Sequence, residues 1–77
     1  VNGYLVGPRA DLTSANLSGA FLRNTDLTGA ILTNIDLEGA NLGAAKLKEA
    51  YLEGAYMNGA ILCNTTMPDG SIIYNGC

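Results

Sequence analysis

Few side chains in this 77-residue chain could carry chemistry, and they fall into three groups: carboxylates, two cysteines and a set of glycines and asparagines. There is no histidine, so no Ser-His or Cys-His pair, no imidazole ligand and no side chain whose unperturbed pKa lies near 7. The nearest approach to a carboxylate pair is Asp36 with Glu38, which point to the same side of an extended segment. Glycosidases set two carboxyls across a substrate-holding cleft, and calcium needs a cage of six to eight oxygens. Two neighbouring acids, with Glu53 near them, read instead as a solvated acidic face. Cys63 has no base to activate it. Paired with Cys77 it would close a loop of about fifteen residues, worth about 3 kcal/mol; two reduced thiols are the other reading. Pairing would favour an oxidising compartment such as a periplasm or thylakoid lumen over cytosol. The glycines form neither a G-x-G-x-x-G nor a Walker pattern, and Gly19, Gly39 and Gly59 recur at a spacing that suits turns. Asn16-Leu17-Ser18 and Asn64-Thr65-Thr66 match the glycosylation sequon, a pattern short enough to arise by chance, and read as surface asparagines. The expectation is a chain without catalytic, cofactor-binding or metal-binding residues.

Composition narrows the partners. Seven acidic residues stand against Arg9, Arg23, Lys46 and Lys48, for a net charge of −3, so no basic patch for nucleic acid is expected. No apolar run approaches the roughly 18 residues of a membrane span, and no charged segment precedes an apolar one as in a signal peptide. A soluble chain is therefore expected. The first residue, Val1, fits removal of a leader peptide and a shortened chain equally well.

The elements that must position these residues follow from a five-residue beat between Ala10 and Asp69. Leucine stands at 12, 17, 22, 27, 32, 37, 42, 47, 52 and 62, and methionine at 57 and 67. Two places earlier sits a small residue, alanine except at Thr25, Ile35 and Thr65. Helices repeat near 3.6 residues and strands near 2, so neither carries this beat as one continuous element. Small, variable and apolar residues alternate in, out, in as a very short strand, and the remaining two turn a corner. The second of those two is Gly at 19, 29, 39, 54 and 59 and Asn at 24, 34 and 64, the types that tolerate positive φ.

Four such units closing a square coil make twenty residues the stacking distance between parallel strands. Leu12, Leu32, Leu52 and Ile72 then form one internal column, Leu17, Leu37 and Met57 a second, Leu22, Leu42 and Leu62 a third, and Leu27, Leu47 and Met67 the fourth. A tube this narrow holds four branched side chains in one layer only if the neighbouring layer carries methyl groups. Ile35 is the misfit and is expected to crowd its layer. A helix has its best case from Ala44 to Met57, where propensity is high and glycine is missing at Ala44 and Glu49. The beat continues through that stretch, so two turns of another type are expected there.

The units ADLTS at 10–14, ANLSG at 15–19, TDLTG at 25–29, IDLEG at 35–39 and ANLGA at 40–44 resemble the pentapeptide repeat family. That resemblance implies an all-β fold, a right-handed quadrilateral parallel β-helix of about three coils with four units per coil. Phe21, Ile31, Lys46, Tyr51, Tyr56, Ile61 and Thr66 depart from the family's Asp or Asn. The stretch LCNTTMPDGSIIYNGC at 62–77 also resembles the end of small cyanobacterial and plastid members, some with a disulfide bracket. This supports a Cys63–Cys77 bond and a lumenal or periplasmic location.

One domain, 1–77, is expected, with an N-terminal cap at 1–9, repeats at 10–69 and a C-terminal cap at 70–77, since stacked repeats need atypical ends. Tyr4, Leu5 and Val6 offer apolar cover at one mouth. At the other, Met67 to Gly70 has the order of a type I turn, after which Ser71 to Tyr74 add a side or fold across the opening. Outward, Ile31 is expected to stack with Tyr51, and Tyr51, Tyr56 and Ile61 to form a partial apolar belt. Such a belt is either ladder packing or a surface for a protein partner. Asp26 and Lys46 are expected to stack as a surface ion pair. The function expected is a non-enzymatic structural or interaction module with an unidentified protein partner, monomeric and without cofactor. The alternative, also from the resemblance, is a DNA mimic that meets topoisomerases. Three coils at about 4.8 Å match a length of duplex with roughly nine charges, against the net −3 here.

Overall fold

The computed structural model describes residues 3–77 and is all-β, with no α-helix among them. Parallel bridges stack Asp11 on Ile31 on Tyr51, Asn16 on Asp36 on Tyr56, Phe21 on Asn41 on Ile61, and Asp26 on Lys46 on Thr66. Every bridge joins residues twenty apart, so the chain returns above itself once per twenty residues, as the columns require. Two longer strands close the chain: β1, Leu62–Thr66, and β2, Ile72–Asn75.

One local pattern repeats. The Leu12 N–H donates to the Ile31 carbonyl at 2.8 Å and the Ile31 N–H to the Ala10 carbonyl at 2.8 Å, while the Ala15 N–H closes a four-residue turn on Leu12 at 3.0 Å. The third residue of each turn is left-handed: Ser14, Gly19, Asn24, Gly29, Asn34 and Gly39 have φ between 58° and 70°. Positive φ at that place is the mark of a type II turn.

The turns at Ala44 and Glu49 correct the expectation of another type. Both residues take the same left-handed conformation, at φ 57° and 63°. Their N–H groups donate to the Cys63 and Pro68 carbonyls at 2.8 and 3.0 Å, so the ladder overrides both helix propensity and the steric penalty of an L-residue there, about 1–2 kcal/mol. Glycine relieves that penalty, though it loses more chain entropy on folding. Ala44→Gly and Glu49→Gly are each expected to raise stability by about 0.5–1 kcal/mol, read as a higher urea midpoint with an unchanged slope.

The leucines from Leu12 to Leu47 are buried, as are Ala15, Ala20, Ala30, Ala40, Ala45 and Ala50. Ile35 is also fully buried. Its bonding partners put it in one column with Ala15 below and Ala55 above, so two methyl groups flank the larger side chain. Thr65, at another small position, is buried and its hydroxyl donates to the Leu42 carbonyl at 2.7 Å.

Towards the end the core thins. Leu52, Met57 and Met67 are only partly buried, and Ile72, expected above Leu52, is 52% exposed and lies in β2 instead. The cause is a one-residue displacement of the left-handed position. Every turn from Arg9 to Asn64 carries it at a position ending in 4 or 9, but the last carries it at Gly70, φ 88°, and not at Asp69. The Gly70 N–H donates to the Met67 carbonyl at 2.8 Å and the Met67 N–H to the Ser71 carbonyl at 2.7 Å. This is a type I turn followed by a left-handed glycine, a hairpin connection. β2 accordingly runs back along β1, pairing Thr66 with Ile72, Thr65 with Ile73, Cys63 with Tyr74 and Leu62 with Asn75. At the first end, Val6 packs on the core and the Tyr4 hydroxyl accepts from the Asn16 N–H at 3.3 Å. Leu5, expected as cover, is 91% exposed. The start of the expected cap, Val1 and Asn2, lies outside the described residues.

Candidate functional site

Several outward Asp and Asn side chains are occupied by the backbone. Asp11, Asn16, Asp26, Asp36 and Asn41 each accept, through Oδ1, the N–H two residues on, at 2.9–3.1 Å. That N–H belongs to the second residue of the turn, so the Asp or Asn of each unit fixes the geometry of its own corner. Asp11, Asp26 and Asp69 also accept the hydroxyls of Thr13, Thr28 and Ser71 at 2.6–2.7 Å. Those hydroxyl bonds, then the backbone N–H bonds, hold the three carboxyls below the ordinary aspartate pKa. They are anionic acceptors, not proton donors. Lys46 stacks on Asp26 by backbone, but its charge is the weakest influence on that carboxyl. Asp36 is likewise engaged with the Glu38 N–H at 3.0 Å.

Phe21, Ile31, Lys46, Tyr51, Tyr56 and Ile61 lack this acceptor, and Thr66 needs none because Pro68 has no N–H. Tyr51 and Tyr56 are 53% and 58% exposed, whereas Ile31 and Ile61 are partly buried. Ile31 is bridged to Tyr51 in the lap above. Ile61 lies against the chain end: a Cβ at Gly76 would stand 3.5 Å from the Ile61 Cα. The outward apolar patch over the last lap is thus centred on the two tyrosines. Phe21, 75% exposed and stacked below Asn41, is a further aromatic that sequence reasoning left out of the belt. Its replacement of Asp or Asn was the available signal.

Beside the tyrosines runs an open strand edge. One lap below, the N–H groups of Leu32, Asn34, Leu37 and Gly39 donate to the carbonyls of Tyr51, Glu53, Tyr56 and Asn58 at 2.8–3.0 Å. The corresponding N–H groups of Leu52, Gly54, Met57 and Gly59, and the carbonyls of Ala50 and Ala55, make no hydrogen bond among the described residues. β2 covers the continuation of this edge along β1. A disulfide joins Cys63 to Cys77 with Cα atoms 5.0 Å apart, tying the end of β2's segment to β1. Among the described residues no pocket interrupts the surface, and no helix is long and apolar enough to cross a membrane.

Residues 9–43 and 45–69 match the sequence profile of the pentapeptide repeats, in eight copies. Among solved structures, the chain is similar to HetL, a pentapeptide repeat protein involved in heterocyst differentiation regulation from the cyanobacterium Nostoc sp. strain PCC 7120. The two share 35% identity over 84% of this chain and 33% of HetL, with a TM-score of 0.66. It is also similar to Rfr23, a pentapeptide repeat protein from the cyanobacterium Cyanothece 51142, at 35% identity over 68% of this chain and 39% of the other, with a TM-score of 0.54. The chain thus spans about a third of the length of HetL. No curated protein sequence matches it.

Proposed function

This chain belongs to the pentapeptide repeat family, and we propose that it is a rigid, non-enzymatic β-helix whose exposed tyrosines meet a protein partner. In the proposed architecture the helix is right-handed and quadrilateral, with four units to a coil and about three coils, capped by 1–9 and 70–77 as one domain. Bridges twenty residues apart and a left-handed turn every five support four corners per lap.

The observation that carries the interaction reading is the position of Tyr51 and Tyr56. They replace residues that elsewhere serve the turns, they remain more than half exposed, and they border the open edge at 51–60. Ile31 is stacked beneath Tyr51, and Ile61 follows one unit beyond Tyr56. Exposed aromatics grouped on a rigid surface fit a partner contact better than they fit packing within the ladder. An oxidising compartment, periplasm or lumen, suits the disulfide, and a monomer is the proposed state of the free protein. Nothing in the comparisons supports the DNA-mimic alternative.

Tyr51→Ser combined with Tyr56→Ser tests this reading. Wild-type protein immobilised in an extract of its native compartment is expected to retain a defined partner, and the double variant to lose at least about tenfold of it while melting within a few degrees of wild type. A lower melting temperature with undiminished retention would make the tyrosines packing residues and dismiss the surface.

A further inference from the structure

The open edge and the displaced last turn concern the same few residues. Continued in step, the beat puts Gly70 over Ala50, Ser71 over Tyr51 and Ile72 over Leu52: small, outward, apolar, as in every unit beneath. That seat offers the Ala50 carbonyl and the Leu52 and Gly54 N–H groups, all unpaired among the described residues, and a partly exposed Leu52 that an aliphatic side chain would cover. The segment that fits it lies elsewhere. Gly70 rather than Asp69 is left-handed, β2 runs back on β1, and Ile72 is half exposed there. The Cys63–Cys77 bond joins the segment covalently to the strand it now covers.

We propose that residues 70–73 have two seats, the hairpin along β1 and the open edge over 50–54, and that the Cys63–Cys77 disulfide selects the first. A dithiol reductant breaks the Sγ–Sγ bond, delivering two electrons and two protons to give two thiols while becoming a disulfide itself. Cys77 is the more exposed of the two cysteines. The freed segment then moves its left-handed residue back to position 69, where Asp is among the types that tolerate it. The Ser71 N–H donates to the Ala50 carbonyl, the Leu52 N–H to Ser71 and the Gly54 N–H to Ile73, repeating the pattern one lap below. Oxidised, the chain leaves open the half of its mouth beside Tyr51; reduced, it closes the part over 50–54 and opens the half over β1. The bond thereby controls access to the edge beside the tyrosines.

Amide hydrogen exchange followed by NMR, with and without dithiothreitol, tests this. Reduction is expected to slow exchange at Leu52 and Gly54 by about tenfold or more and to speed it at Met67, with sedimentation still giving one chain per particle. Unchanged or faster exchange at Leu52 and Gly54 would overturn the second seat, whether the segment stayed on β1 or frayed. Protection that appears only with a dimer would overturn it in favour of a second copy's strand. Asp69→Gly with Gly70→Ala in a Cys63→Ser, Cys77→Ser background restores the usual turn and is expected to give the same protection without reductant. Neither arm depends on a partner, so its failure leaves the tyrosine surface standing.

Discussion

Leu37→Ala is expected to lower the stability of this protein by about 3–5 kcal/mol, the upper part of the range for truncating a buried leucine. Leu37 is fully buried in the column between Leu17 and Met57. Its surroundings have little freedom to collapse. The Leu37 N–H donates to the lap above at 2.8 Å, its carbonyl closes the turn on Ala40 at 3.0 Å, and the Leu17 N–H is held by Asp36 at 2.8 Å. With backbone fixed on both sides and the adjacent layer largely alanine methyls, the removed isobutyl group leaves a cavity, and the cavity term adds to the lost transfer energy. A domain of this size has about 4–12 kcal/mol in all, so the variant should be partly unfolded at 37 °C. Met57→Ala is the internal comparison: the same column, at the thin end where the side chain is partly exposed, should cost less than half as much. Urea titrations of both variants measure the difference. Equal costs would mean that the end of the column is as well packed as its middle, contrary to the open mouth described above.

The contrast between these two sites shows what sequence could and could not reveal. Leucines every five residues fix which side chains share a column, because only a stacked coil buries them all, and Leu12 to Leu47 are where that pattern puts them. Spacing is silent about position along a column, so Leu52, Met57 and Ile72 looked equivalent to Leu32 and Leu37. The turn at Ala44 differs from its sequence expectation for a related reason: propensity is a property of the residue alone, whereas left-handed φ there is imposed by ladder bonds from the laps above and below. The role of Asp11, Asn16 and Asp26 as acceptors for turn amides is open to inference, since Asp and Asn bond the N–H two residues on, but Asn16 reads equally as a surface asparagine and Asp26 as the partner of Lys46. For the candidate surface, the tyrosines were legible as departures from Asp or Asn. The open edge was not, because it depends on a hairpin that one glycine, one place late, makes possible.

That hairpin makes the disulfide the second large contribution to stability. Cys63→Ser with Cys77→Ser is expected to lower it by about 2–3 kcal/mol, since a bond closing a loop of this length removes chain entropy from the unfolded state worth about 3 kcal/mol; the sequence separation is 14. The native state also depends on it locally. β2 is four residues long, Ile72 and Tyr74 are largely outside the core, and only Ile73 packs against it. A strand so weakly held leaves β1 without its link, exposing Leu62 and Met67 at the mouth. The loss falls toward 2 kcal/mol if the freed segment recovers contacts over Leu52, and reaches about 3 kcal/mol if it does not. Urea midpoints of the oxidised protein, the reduced protein and the double variant separate the terms: the last two should agree, because both lack the same link. An unchanged midpoint would mean that the reduced ensemble is already restricted to the same degree, and that the ladder of the first two laps, not its covalently fastened end, limits unfolding.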